Sequence, residues 1–472
     1  MSMNEVIELL QQQQKELAAQ KQLLQSQSQK IATLSAELDV LRAPEPTAAP
    51  KATEQIVAKA EQATQPVTTS TQTIPEDTGQ GKTEEQKDNE AGESIAKAQT
   101  DDPTRALLED FKGAWRLPGT NAALAIGGFV KTSVVYNNDP LEIKDRFIVG
   151  SIPVDERAVE DIEAQSSITA SQSRLNFDLR EPTEFGLLRA FIEGDFADEN
   201  DTFRLRHAFG QWRSMLAGKT WSAFVDTEAS PEEVDFEGLN GRINVRQSQV
   251  RFRPRIGKEY EFQFSMEDPN PQIQNGNGVT RTPDFVFTGR FEPYKNLHVK
   301  LALLARQIRA QRDFEDGGGV EKEYGWGTTL SGRLMTPNLD ARDSLLFQFN
   351  AGNGIGRYIN DLSSVGNFDG VVDPDTGELK LFDIMSGYVS WQHWWGYKQM
   401  RSNFTFGVVN VDNPDFIDDT AYKRTLRFSS NLFWSPTPRI DIGGEYLWGN
   451  RQNEDGENNS ATQIQLAVRY RF

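Results

Sequence analysis

The chain contains no cysteine, and its three histidines are His207, His298 and His393. Disulfides, thiolate zinc sites, iron–sulfur clusters and cysteine nucleophiles are therefore excluded. No stretch approaches the roughly 18 uncharged apolar residues that a transmembrane helix needs. Positive charge is in deficit, with 69 acidic residues against 50 basic ones in 472 residues and a formal net charge of −19. Such a chain is a poor non-specific partner for nucleic acid, and none is expected. Composition by itself describes a soluble, hydrophilic protein. The order of the residues says otherwise.

Residues 1–42 are nearly free of glycine and proline and carry an unbroken heptad pattern. Met3, Leu10, Leu17, Leu24, Ile31 and Leu38 fall at a, and Val6, Gln13, Gln20, Gln27, Leu34 and Leu41 at d. Apolar layers alternating with glutamine layers suit a parallel oligomeric coiled coil better than a globular core. Residues 43–104 are rich in Ala, Pro, Thr, Gln, Glu and Lys and have no aromatics, so a disordered spacer is expected. Residues 105–120 read as a short helical connector. No apolar h-region precedes the heptads; the chain reads as a mature form with an added start, so export is inferred rather than read.

From about residue 121 the apolar period becomes two. In the last segment Ile464, Leu466, Val468, Tyr470 and Phe472 share one face, and Gln463, Gln465, Arg469 and Arg471 the other. A soluble sandwich also alternates in this way. The connections discriminate. Sixteen strands are predicted, near 124–136, 168–180, 185–196, 202–213, 215–224, 243–253, 259–267, 284–292, 297–308, 322–335, 344–352, 381–393, 401–410, 421–434, 438–450 and 462–472. Their typical length matches the about 9–11 residues of a tilted membrane strand rather than the soluble average of about 5–6. Tight turns follow the even strands. Mostly long acidic loops follow the odd ones, at 137–167, 225–242, 268–283, 309–321, 353–380, 411–420 and 451–461, with a short one at 197–201. Outer-membrane barrels show this asymmetry. Aromatics near strand ends (Tyr136, Trp212, Trp221, Phe291, Trp326, Trp391, Trp394, Trp395, Trp434, Trp448) suit interfacial girdles, and the chain ends on an aromatic strand. The expected fold is an all-β transmembrane barrel of 16 antiparallel strands over 121–472, behind an N-terminal coiled coil.

The block Phe203-Arg204-Leu205-Arg206-His207-Ala208-Phe209-Gly210 and the block Ala217-Gly218-Lys219-Thr220-Trp221-Ser222-Ala223-Phe224 resemble the DcaP-like family of outer-membrane porins. Phe236-Glu237-Gly238 and Arg246-Gln247 fit the same pattern. The resemblance implies a trimeric channel for dicarboxylates and similar small organic anions. It also implies a bacterial outer-membrane location with the stalk in the periplasm.

With apolar faces toward lipid, the opposite faces line a channel and carry many cations. Arg174, Arg189, Arg204, Arg206, Lys219, Arg251, Arg253, Arg290 and Arg427 are the candidate substrate-binding residues, and Lys131, Arg180, Lys300, Arg306 and Lys423 extend the ladder. Residues 111–472 hold 29 Arg against 11 Lys. Guanidinium suits bidentate carboxylate or phosphate contacts, and cations in a narrowed pore favour anions. Arg174, Arg189, Arg204, Arg206, Lys219 and Arg251 are expected near one level. The competing reading pairs these cations with Asp178, Glu193, Asp195, Glu261 or Asp441 across the lumen. Loop 225–242 is the candidate constriction loop, its Asp226, Glu228, Glu232, Glu233 and Asp235 facing the cations or standing outside in water.

The acidic loops at 195–201 and 412–419 lack EF-hand spacing, so neither a metal site nor any other cofactor is expected. No nucleophile motif accompanies a histidine; His207 is on the lipid-facing parity, and no catalytic residue is assigned. Expected partners are two further copies of the chain through barrel and coiled coil, outer-membrane lipid and lipopolysaccharide, and small anionic solutes. A phosphate-type anion porin and a barrel-anchored envelope-spacing or adhesion protein are the alternatives.

Overall fold

The computed structural model describes residues 111–472 apart from 112, 140, 142, 155–163, 313–318, 338, 367 and 397–398. The heptad segment, the spacer and the start of the connector lie outside the described residues. Where a helical connector is expected, Trp115–Arg116 instead pairs antiparallel with Leu124 and Ala123. The reason is the Leu117-Pro118-Gly119-Thr120 sequence, a turn with Gly119 at φ +77, closed by the Leu117 amide on the Ala122 carbonyl at 3.0 Å.

Sixteen strands close one barrel: β1 (Ala123–Asn137), β2 (Arg174–Thr183), β3 (Gly186–Asp195), β4 (Arg204–Trp212), β5 (Met215–Trp221), β6 (Arg246–Phe252), β7 (Tyr260–Glu267), β8 (Asp284–Tyr294), β9 (Leu297–Arg312), β10 (Val320–Met335), β11 (Ser344–Asn353), β12 (Asp383–Trp394), β13 (Met400–Asp412), β14 (Tyr422–Thr437), β15 (Ile440–Asn453) and β16 (Asn458–Arg471). Each pairs antiparallel with its sequence neighbour, and β1 pairs with β16 to remove the free edges. A closed sheet satisfies every strand's backbone donors and acceptors within the protein, as a hydrocarbon environment requires. A separate segment, Gln165–Thr169, continues the course of β2 along β1.

The burial pattern is inverted relative to a soluble protein. On β9, Leu301 and Leu303 are 48% and 46% exposed, while Lys300, Ala302 and Leu304 are buried. On β16, Leu466 and Val468 are exposed, while Gln463 and Gln465 are fully covered. Leaving one large apolar side chain in water forfeits about 1.5–3 kcal/mol, so a whole outer surface of them is tenable only in lipid. Tyr136, Trp212, Phe291, Trp326, Trp395 and Trp434 are exposed on this surface. Trp221 and Trp394 are not girdle residues. Both are buried, Trp221 beneath the Arg246 guanidinium at 3.7 Å and Trp394 beside Arg342 and Arg401.

Two expected long loops are shorter than their sequence suggests. β9 and β10 run on to Arg312 and from Val320, and β15 and β16 to Asn453 and from Asn458. The extensions lie beyond the apolar band, where the outward face turns polar and the lipid-facing alternation stops. The long-loop mouth is not an open vestibule. Segments 222–245 and 354–382 turn inward and bury Phe224, Ile243, Ile355, Tyr358, Leu362, Phe368 and Phe382 against inward-facing Val286, Leu304, Ile384 and Val409. The 354–382 loop carries a short helix, α1 (Asn360–Val365).

Because Leu303 faces lipid, Leu303→Arg is expected to cost about 2–4 kcal/mol. Guanidinium unfolding in lipid vesicles measures it, against near neutrality if this face met water.

Candidate functional site

The loop after β5 leaves the wall at Trp221, crosses the lumen and returns at Arg246. Its contacts run around the far wall. Asp226 Oδ2 lies 3.0 Å from His298 Nε2 and accepts from the Ser331 hydroxyl at 2.6 Å. Lys300 donates to the Val225 carbonyl at 2.5 Å, Tyr388 to that of Ala229 at 3.0 Å and Asn350 to that of Gly241 at 2.8 Å. Glu228 pairs with Arg290. Glu232 accepts from Arg401 Nη2 at 2.7 Å. Arg427, without solvent exposure, donates to Glu233 at 2.5 Å and to Asp235 at 3.0 Å. Glu445 accepts the backbone amides of Val234 and Asp235, both at 2.7 Å. At Gly241 a β-carbon would stand 2.5 Å from the carbonyl oxygens of Gly387 and Val408, so the loop backbone reaches the wall only because that residue is glycine.

Asp361 in α1 ties this loop to its neighbours. Its carboxylate accepts from the Gly150 amide at 2.8 Å and from the Tyr422 and Thr425 hydroxyls at 2.8 and 2.7 Å. Its own amide donates to the Asn240 carbonyl at 3.1 Å. Burial pushes the Asp361 carboxyl above the usual range, opposed by these donors. Asn360 adds bonds to the Glu237 and Leu239 carbonyls, at 2.9 and 3.0 Å.

Two lumenal cavities flank the loop. The larger, about 300 Å³, has eight cationic side chains in its lining (Lys131, Arg146, Arg174, Arg204, Arg206, Arg242, Arg246 and Arg469) against Glu232, Glu233, Asp235 and Glu237. Phe236, at the tip of the loop, projects among them with the guanidinium carbons of Arg146, Arg204 and Arg206 at 5.3, 5.6 and 5.9 Å from its ring centre. Burial first, and Asp235 next to it, push the Glu237 carboxyl up, against the Ser364 hydroxyl, Arg146 and Arg242. The smaller cavity, about 80 Å³, is lined by Arg189, Arg251, Arg253, Arg255, Arg290 and Lys300 with Asp226, Glu228 and Glu261.

The expected single level of cations is therefore two. Arg174 and Arg204 start strands that descend from the long-loop mouth, and with Arg206 they belong to the larger cavity. Arg189, Arg251, Arg253 and Arg290 belong to the smaller one, toward the short turns. Many are paired, as the competing reading has it. Arg204 and Arg206 meet Asp195 at 3.0 and 2.7 Å, Arg174 lies 3.7 Å from Glu193, Arg189 shares Asp178 with Arg180, and Arg253 meets Glu261 at 3.1 Å. Arg251 donates instead to Gln249, Gln263 and the Trp221 carbonyl. Arg290 and Arg427 hold the loop.

Lys219 does not line the lumen. It sits opposite Ser248 and Ala208, on the face that also carries exposed Met215 and Val250. His207 shows the reverse error. The β3–β4 register slips between Glu193 and Gly194, so Arg206 and His207 both turn inward, and His207 Nδ1 lies 2.9 Å from Thr220 Oγ1. Lys423 stands outside at the long-loop rim, 2.7 Å from Glu454. The acids at 226–235 face the far wall rather than Arg174, Arg204 and Arg206. Sequence reading missed Arg146, Arg242, Arg246, Arg469 and the anchor Arg401. Arg469 was detectable, because it alternates with Val468 and Tyr470; Arg146 and Arg242 lie in loops, where no period places them.

Ser331 donates to Asp226 rather than to a histidine nitrogen, the inverse of a nucleophile–base arrangement. His393 lies 2.8 Å from Asp343.

The model of the DcaP outer membrane protein family matches residues 127–472. The chain belongs to that family. It is similar in structure to the outer membrane channel DcaP of Acinetobacter baumannii, at 19% identity and TM-score 0.65 over 76% of this chain and 99% of that one. An anion-selective porin from Comamonas acidovorans matches at 11% identity and TM-score 0.52, over 74% of this chain and 100% of that one. Both likenesses concern the fold. No curated protein sequence matches the chain. Family and fold together make this an outer-membrane, porin-like barrel.

Replacing Asp361 by Ala removes the acceptor that joins the 354–382 loop to the Gly150 loop and to β14, worth about 1–3 kcal/mol of local stability. Single-channel recordings are expected to show larger and noisier currents, with the barrel's resistance to detergent unchanged.

Proposed function

We propose that this DcaP-family barrel passes small anionic solutes, dicarboxylates and related organic anions among them, by passive diffusion. The observation that carries the reading is the charge of the larger cavity, where eight cations outnumber four carboxylates. Three of those carboxylates are already drawn to Arg401 and Arg427 in the wall. Asp195 and Glu193 offset part of the Arg174, Arg204 and Arg206 cluster, and one net positive charge remains in that group. Fixed guanidinium groups in a narrow, partly desolvated lumen lower the cost of entry for carboxylates and raise it for cations. Planar forks suit a carboxylate at either end of a short diacid.

The protein works in this reading as a homotrimer, with residues 1–42 as a periplasmic coiled coil joined through the 43–104 spacer. The DcaP channel and the anion-selective porin supply the precedent in fold.

Reversal potentials across a bilayer separating unequal potassium chloride solutions test the proposal. The expected result is chloride preference in the native protein. Arg204→Gln with Arg206→Gln should lower the chloride-to-potassium permeability ratio by about threefold or more, on the scale of two partly screened charges. Cation preference in the native channel, or a ratio untouched by the double substitution, contradicts it. Liposome swelling with succinate, phosphate and a neutral sugar then ranks the solutes.

A further inference from the structure

Above the apolar band the β9–β10 pair continues, with Gly276–Gly278 on the other edge of β9, and its outward face changes character in three steps. The lowest rung is Ala305 opposite Trp326, the next Gln307 opposite Tyr324, and the highest Arg309 opposite Lys322. Trp326 and Tyr324 are 52% and 66% exposed. Glu321 and Glu323 alternate with Lys322 and share the inward face with their partners Ala310 and Ile308, both buried. Among the described residues, no carboxylate forms an ion pair with Arg309 or Lys322.

Like charges directly opposite each other on one sheet face are destabilising, and an anion bound between them would relieve that repulsion. The arginine is also aimed. Its Nε donates to Gln307 Oε1 at 2.9 Å, and Gln307 Nε2 donates to the Tyr324 hydroxyl at 3.1 Å. Lys322 lies four positions from Trp326, so at the usual rise and tilt the cations stand roughly 10 Å beyond the aromatic rung. Long basic side chains folding back along the strand pair bring their charges to headgroup depth.

We propose that Arg309 and Lys322 form a binding site for a phosphate group of an outer-leaflet glycolipid, on the lipid-facing side of the barrel and separate from the pore. The guanidinium fork takes two phosphate oxygens and the ammonium a third, while Tyr324 and Trp326 lie against the sugar and acyl boundary below. The site requires the membrane orientation that the long loops give and is independent of the channel's selectivity.

The test uses the full chain in detergent, with native mass spectrometry of the complexes formed with bisphosphorylated lipid A, with the same lipid stripped of phosphate, and with inorganic phosphate as competitor. Arg309→Gln combined with Lys322→Gln is expected to weaken binding of the bisphosphorylated lipid about tenfold. Lys258→Gln, at the short-turn mouth, should leave it unchanged. Phosphate-free lipid should bind the native protein no better than the bisphosphorylated lipid binds the double variant, and millimolar inorganic phosphate should not displace the lipid. Undiminished binding by the double variant, equal binding of phosphate-free lipid, or displacement by inorganic phosphate overturns the site. Heat-shifted gel mobility verifies that each variant is folded. Reversal potentials of the double variant should equal those of the native protein, which separates failure here from failure of the anion-channel reading.

Discussion

Arg427 has no access to solvent, and its charge is met by Glu233 and Asp235 from a single loop. Burying a guanidinium is tenable only with such partners, and removing one partner of a buried pair costs about 3–5 kcal/mol. The pairing therefore commits the loop to the lumen. Once it is there, Arg401 takes Glu232, Arg290 takes Glu228, and His298 with Ser331 takes Asp226. The carboxylates are consumed at the far wall, and the near wall, with Arg174, Arg204, Arg206 and Arg246, faces the remaining gap. The asymmetry of the larger cavity is thus a product of how the loop is fastened.

The same division explains how a net-acidic chain can line a lumen with cations. Residues 1–110 contribute −9 of the formal charge and the rest −10. Within the barrel many acids sit on loops, whereas arginine recurs on the inward parity of β2, β3, β4, β6, β8, β9 and β14. Net charge describes the sum, but a permeating ion meets only the local arrangement.

Strand existence was legible because alternation and turn chemistry agree wherever one face meets lipid, as in β16 or the middle of β9. Legibility failed where that condition lapses. Beyond the apolar band the outward face is polar, so the ends of β9, β10, β15 and β16 read as loop. At the β3–β4 slip one residue changes the parity, so simple alternation points His207 outward although it faces Thr220. Lys219 is expected on the lumenal face opposite the apolar one, yet its cross-strand partner Ser248 puts it on the outer face. The acids at 226–235 were legible as a candidate constriction set. Their partners were not, since Arg290, Arg401 and Arg427 lie 62, 169 and up to 194 residues away.

The central claim, that this loop lies across the conduction path, can be tested cleanly because the chain has no cysteine. In Phe236→Cys the thiol stands among the cavity arginines at the tip of the loop. The account predicts that a water-soluble methanethiosulfonate added during single-channel recording reduces the current in discrete steps, while Met385→Cys on the lipid face shows none. Complete labelling at residue 236 with the current unchanged would contradict it.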